Sequence, residues 1–259
     1  MSETQGQQWF DVEDKGAVVT VTMQRPPVNA FNPEFAAGLK AIVMRMERRT
    51  DLRVLHFRSS QRFFSAGADL NFVKAVCNAE DPAIPFTNFL KDRKDVLRRI
   101  ESLRCVTIAE VNGGAMGGGC ELALTMDFRI ADDDALLGLP EAKHGLVPGS
   151  GGTQRLTRLC GRGVAKRIMM TGELVRGAEA ERLGMVDWAV PKEQRADKVQ
   201  ELIEQILPVS PLGIDGVKRA IEAQENPEIE GFNYELTTIA RLIRQPDTLK
   251  RVSSFFERK

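Results

Sequence analysis

The fourteen residues VNGGAMGGGCELAL (111–124) decide how the rest of the chain is read. They begin at the end of VTIAEV (106–111), a short β-branched and apolar run that reads as a buried strand. They run into CELALTM (120–126), whose apolar residues recur at helical pitch. Glycine is costly inside regular structure, so Gly113, Gly114, Gly117, Gly118 and Gly119 mark a turn or a close approach of backbone to something. A strand, a glycine-rich turn and a helix start make an anion site, because the unpaired N–H groups and the helix dipole point at one spot. A second cluster, GLVPGSGG (145–152), adds four glycines, so nine of the chain's 22 lie in these two short stretches.

The kind of negative charge can be narrowed. The dinucleotide fingerprint GxGxxG is absent, since only two residues separate Gly114 from Gly117 and no acid follows at the required distance. A P-loop is absent too, because neither cluster ends in Gly-Lys-Ser or Gly-Lys-Thr. An oxyanion hole, in which backbone donors meet charge developing on a carbonyl oxygen, fits better than a phosphate cradle. Two acids flank the clusters: Glu121 just after the first, and Glu141, behind Pro140, just before the second. Each also has a plain structural role open to it. Glu121 suits the dipole of a first helical turn, and Glu141 can begin a short helix. Cys120 has no basic neighbour in sequence and reads as a small packing residue, and His144 as a surface or cap histidine.

Outward from this centre, strands alternate with helices. AVVTVTM (17–23) is a strand stopped by Arg25-Pro26-Pro27, and Asn32 caps a helix with Pro33 at its first position. Phe35, Leu39, Ile42, Val43 and Met46 form that helix's apolar face. LRVLHF (52–57) is a second strand, with His56 a packed or surface residue in it. The pattern is helical from 69 to about 101, broken by a loop at DPAIP (81–85). DFRIA (127–131), ALLGL (135–139) and MVDWAV (185–190) are further strands. Helical patterns cover 150–160, 162–171, 177–183, 192–207, 211–223 and 229–243. The result is an α/β body over 1–195 and a helical region over 196–259.

Length and composition set outer limits. At 259 residues the chain forms one large domain or a body with a small appendage, and 42% hydrophobic with 28% charged residues is ordinary for a globular protein. Thirty-six basic residues balance thirty-six acidic ones, which argues against nucleic acid or a membrane surface as partner. The Arg155, Arg158, Arg162, Lys166 and Arg167 series, at helical intervals, reads as a solvated or interface face. Four cysteines without a CxxC pair, and two histidines, speak against a disulfide framework or a zinc site, so no metal is expected. The opening MSETQGQQWFDVEDKG lacks the features of a signal peptide, and no apolar run approaches the roughly 20 residues that a bilayer needs. A cytoplasmic protein is the expectation.

Three long motifs resemble the enoyl-CoA hydratase/isomerase (crotonase) superfamily: SAGADL (65–70), VNGGAMGGGCELAL (111–124) and LGLPEAKHGLVPGSGGTQRLTRLCG (137–161). RPPVNAFN (25–32) and TGELVRGAEAERLGMVDWAVP (171–191) support them in the same order. The resemblance implies a crotonase-like spiral of ββα units and a helical C-terminal part used in trimerisation, giving a homo-oligomer, trimer or hexamer. It implies an acyl-CoA thioester as substrate and no separate cofactor, coenzyme A being part of that substrate. The oxyanion hole would be the N–H groups of Ala68 and Gly118. Coenzyme A and the acyl group would lie along Pro27, Val28, Ala30, Phe64, Ala66, Gly67, Asp69, Leu70, Gly117, Pro140 and Gly149.

Glu121 and Glu141 match the two glutamates of the superfamily's hydratases, where many relatives with other chemistries keep one or neither. The implied reaction is a hydro-lyase reaction of fatty acid β-oxidation type: reversible addition of water to a 2-trans-enoyl-CoA, giving a 3-hydroxyacyl-CoA. Glu121 would be the base on water and Glu141 the acid at Cα. A Δ3,Δ2-enoyl-CoA isomerase, or another acyl-CoA lyase or hydrolase of the superfamily, is the alternative, with a non-catalytic acyl-CoA-binding protein behind it. AKHG (142–145) departs from the aliphatic residues of relatives, and the segment 75–93 reads as a longer loop that shapes chain-length preference.

Overall fold

The computed structural model describes residues 7–224, 226 and 228–257, so the leader reading of the first sixteen residues falls partly outside it. The chain forms two compact units, Met1–Ile203 and Glu204–Lys259. The first opens with β1 (Phe10–Lys15), β2 (Val18–Met23), α1 (Pro33–Glu47), β3 (Val54–Ser59), α2 (Leu70–Cys77) and α3 (Ala83–Glu101). It continues with β4 (Val106–Val111), β5 (Gly114–Met116), α4 (Gly118–Ala123), β6 (Phe128–Asp132), β7 (Leu136–Gly138) and α5 (Gly152–Thr171). β8 (Val175–Arg176), α6 (Gly177–Arg182), β9 (Trp188–Val190) and α7 (Arg195–Ile206) follow, the last crossing the division between the units. In the second unit lie α8 (Pro211–Ala223), α9 (Gly231–Leu242) and α10 (Pro246–Glu257).

One sheet has the order β1-β2-β3-β4-β6-β9, parallel except for the β1–β2 hairpin; the other is β5-β7-β8. β4 is buried along its whole length, as a strand covered on both faces must be, which is why VTIAEV reads as a near-continuous apolar run. The chain visits the sheets in turn. β4 joins the first, β5 the second, and α4 follows; β6, β7 and α5 repeat the cycle. Two earlier cycles are present in reduced form, because Phe31 bridges to Ala68 and Ser65 bridges to Ala115, both parallel. The smaller sheet is thereby prolonged through the segments ahead of α1 and α2.

Local chemistry explains the boundaries. Asn32 caps α1 by accepting the Phe35 N–H at 2.9 Å, with Pro33 in the first turn. The core of the first unit takes Phe35, Leu39, Val43 and Met46 from α1, with Leu55, Phe57, Leu97, Ile100 and Leu122. Four readings change. β1 was not expected, because its exposed edge residues Glu13, Asp14 and Lys15 hide the alternation. Residues 75–93 are mostly helix: the break spans 78–82, and Pro85 sits in the first turn of α3, where a missing N–H is harmless. Arg155 is not on a solvated face but buried, with its guanidinium on Glu101 at 2.6 and 2.7 Å and on the Ser150 carbonyl at 2.8 Å. α10 adds an amphipathic helix beyond 243.

Gly67 joins the sheet extension to the glycine-rich turn. Its φ is 90°, and a Cβ there would stand 2.6 Å from the Met116 carbonyl oxygen and 3.2 Å from the Gly118 nitrogen. Gly67→Ala should therefore cost at least about 2 kcal/mol through backbone strain and overpacking. Equilibrium denaturation measures this, and a loss below about 0.5 kcal/mol would contradict the close approach.

Candidate active site

The two expected oxyanion donors lie at neighbouring strand ends. Phe31 donates to the Gly67 carbonyl at 2.7 Å and accepts the Asp69 N–H at 2.8 Å. Because alternate groups of a strand face opposite ways, this ladder turns the Ala68 N–H to the other side, where Ser65 pairs with β5. β5 ends there at Met116, and Gly118 opens α4, whose first intrahelical bond runs from the Glu121 N–H to the Gly117 carbonyl at 2.9 Å. The Gly118 N–H thus has no partner one turn back. Arg25 braces the strand by pairing with Asp69 at 2.6 Å and donating to the Ala30 carbonyl at 2.8 Å, while Asp69 caps α2.

Glu121 is fully buried and meets three donors. Its Oε1 accepts the Ser150 N–H at 2.7 Å and the Gly152 N–H at 2.9 Å. Its Oε2 is paired with Arg93, which is 4% exposed and also donates from Nε to Ser150 Oγ at 2.8 Å. The second glycine cluster is thus the wall against which the Glu121 carboxylate is held.

Glu141 stands differently. It lies in the 3-10 turn Pro140–His144, and a Cβ on Gly117 would be 3.2 Å from its Oε1. Its Oε2 is buried without a protein partner. Burial pushes its carboxyl up to about 7, with the Glu121 charge adding to the rise and the Arg93 charge opposing it. Burial likewise raises the Cys120 thiol well above its ordinary range, helped by the two glutamates, which makes it inert packing and not a nucleophile.

The structure brings Ala68, Gly67, Gly117, Gly118, Glu121 and Glu141 into one place. Val28 and Ala66 meet beside it, the Ala66 N–H donating to the Val28 carbonyl at 3.0 Å. Phe64 is wholly buried in the core, so its side chain packs, and Leu70 is 79% exposed at the start of α2. Pro27 is exposed, Pro140 half-buried in front of Glu141, and Gly149 lies against Leu90, 2.8 Å from where its Cβ would be. His144 is exposed at the end of its turn.

Arg93, Ser150 and Asn29 were not singled out from sequence. Asn29 is a buried hub, its Nδ2 donating to Ser59 Oγ at 2.7 Å and the Phe64 carbonyl at 3.1 Å. Arg93 had a signal: it falls at helical spacing with Phe89, Val96, Leu97 and Ile100, a cation on an apolar stripe.

Residues 13–259 match the enoyl-CoA hydratase/isomerase family. The chain belongs to that family. It is 31% identical over 251 residues to the short-chain-enoyl-CoA hydratase of Clostridium acetobutylicum, covering 96% of this chain and 94% of that one. An enoyl-CoA isomerase/hydratase of Mycosarcoma maydis is 35% identical over 80% of this chain and 74% of its own length. The crystal structure of an enoyl-CoA hydratase from Bacillus anthracis superposes with a TM-score of 0.89 at 30% identity, covering 97% of both chains. The α/β crotonase fold with two sheets and C-terminal helices is thus established, and membership of this family implies binding of acyl-CoA. No helix among the described residues is long and apolar enough to cross a membrane.

The Glu141 titration has a consequence for stability. A carboxyl whose folded midpoint lies above its unfolded value stabilises the fold least once pH has risen through both. Glu141→Gln removes that penalty. Its melting temperature should exceed the wild type's by roughly 2 to 4 °C more at pH 8.5 than at pH 5, a modest figure because the side chain is partly exposed. Equal differences at the two pH values would show that Glu141 titrates normally.

Proposed function

We propose that this family member is an enoyl-CoA hydratase acting on a 2-trans-enoyl-CoA. The observation that carries the reading is the unequal pair of carboxyls beside the Ala68 and Gly118 amides. Glu121 is ion-paired and accepts two backbone N–H groups, whereas Glu141 is raised to about 7 by burial and has a buried oxygen without a protein partner. Glu121 takes a proton from water as the hydroxyl adds at Cβ. The electron pair of the double bond moves into the thioester, and its enolate oxygen is held by the Ala68 and Gly118 N–H groups. Glu141, present as the acid below about pH 7, delivers the proton to Cα. One water is consumed, and both carboxyls reset by proton exchange with solvent.

One observation favours a second reading, a Δ3,Δ2-enoyl-CoA isomerase. Both oxygens of Glu121 are engaged by protein donors, leaving Glu141 as the freer acid-base group, and one shuttling base suffices for isomerisation. Loss of the 2-enoyl absorbance of crotonyl-CoA separates the two. A hydratase loses at least about a hundredfold in rate in both Glu121→Gln and Glu141→Gln. Impairment of Glu141→Gln alone points to the isomerase, and a wild type inactive on short, long, branched and aromatic enoyl-CoAs overturns the hydratase reading.

The oligomeric reading draws support from α9. Phe232, Leu236 and Ile239, with Ile243 at the helix's C-cap, recur at helical spacing, and Phe232 is 77% exposed. A stripe of this kind fits burial against another copy. Sedimentation of the full chain should give a trimer or hexamer, and Leu236→Asp should shift it toward monomer; a monomeric wild type at micromolar concentration would refute this.

A further inference from the structure

Arg93 sits in the run LKDRKD (90–95), where Lys91, Asp92 and Lys94 are exposed and Arg93 alone of the four is buried. A lone cation turned inward needs compensation for its lost hydration, and four groups supply it. Nε is anchored on Ser150 Oγ at 2.8 Å, Nη2 is paired with Glu121 Oε2, and the rings of Phe31 and Phe89 lie 5.5 and 5.7 Å from the guanidinium carbon. Nη1 stands over Gly118, so close that a Cβ there would collide with it. The guanidinium therefore touches the residue that carries one proposed oxyanion donor and the carboxylate of the proposed base.

We propose that Arg93 is a positioning residue of this site: anchored by Ser150 and the two rings, it fixes the Glu121 carboxylate and supplies the positive charge that Glu141 faces. This rests on the reading of Glu121 and Glu141 as the acid-base pair. The planar fork of arginine can hold Ser150 and Glu121 at once, which a point-charge ammonium does less well. The charge also reaches Glu141, where it opposes the rise caused by burial and by Glu121. Among the described residues, the other titratable or charged groups near the pair include Cys120 on α4, the exposed Lys143 and His144 on the turn that carries Glu141, and, behind Ser150, Arg155 on α5, itself neutralised by Glu101 of α3. Neither Cys120, held as a thiol, nor the Arg155–Glu101 pair replaces the charge of Arg93.

The test uses the full chain with 13C-labelled glutamate carboxyls, assigned through Glu121→Gln and Glu141→Gln, and follows the pair by NMR from pH 4 to 10. In the wild type the upper midpoint of the pair lies near 7. Arg93→Met should raise that upper midpoint by about one unit or more, and Arg93→Lys should keep it within a few tenths. With crotonyl-CoA, Arg93→Met should lose about 10- to 100-fold in kcat with KM changed less than about threefold, its alkaline limb moving up with the midpoint. Arg93→Lys should recover part of kcat. If Arg93→Met does not fold, Arg93→Gln, which keeps hydrogen bonding without charge, is read in the same way. An unmoved midpoint in the neutral variant overturns the proposal and leaves Arg93 as a structural pin between α3 and α4. A moved midpoint in a protein that hydrates no enoyl-CoA upholds the role of Arg93 while the hydratase reading fails, so the two failures are distinct.

Discussion

The buried carboxylate of Glu121 is the interaction on which the site depends. Its three donors come from the entry into α5, through the Ser150 N–H in the turn and the Gly152 N–H at the helix start, and from α3, through Arg93. A charge with no exposure is tolerated only when its lone pairs are filled, and here those donors tie three separate segments to one point. The glycines of 145–152 follow from this. Gly151 has a φ of 102°, and a Cβ on Gly152 would press to 3.0 Å of the Glu121 side chain. Backbone amides can reach the carboxylate because side chains are missing there.

The same economy of side chains shapes the oxyanion side. A strand that paired on both edges would spend every N–H in the ladder. Here Phe31 uses the groups flanking Ala68, and β5 stops at Met116, one residue short of the turn into α4. Ending the small sheet at this place leaves the Ala68 and Gly118 amides near one another, and Gly67 keeps the two segments in contact. The geometry of the candidate site is therefore a property of where the second sheet stops.

Much of this was legible in sequence, for physical reasons that differ by element. The β4 strand, the Asn32 cap and the glycine clusters are local signals: apolar run, side-chain acceptor and missing Cβ each act within a few residues. β1 was not, since only Phe10 and Val12 turn inward before the exposed run Glu13–Lys15 ends the alternation, and the strand forms because the β2 edge is there to pair with. Arg93 and Arg155 were masked by composition. Each sits among other charged residues, and only the partner across the fold, Glu121 or Glu101, shows which cation turns inward. That Glu121 and Glu141 share a site came from resemblance; no spacing within the chain implies it.

Two glutamates of identical chemistry come to behave differently through their surroundings. Burial raises a carboxyl's affinity for its proton, and Glu141 shows that effect. Glu121 is ion-paired to Arg93 and accepts two backbone N–H groups; at Glu141 no donor reaches Oε2, and the neighbouring negative charge adds to the effect of burial. A buried ion pair contributes little net stability compared with apolar residues of like size. The two partners of this pair depend on each other, since a leucine in place of Arg93 would leave the buried Glu121 carboxylate without its cation. What an apolar residue could not supply is the ion pair with Glu121 and the positive charge that opposes the rise at Glu141, which the proposed roles of these carboxyls as base and acid draw on.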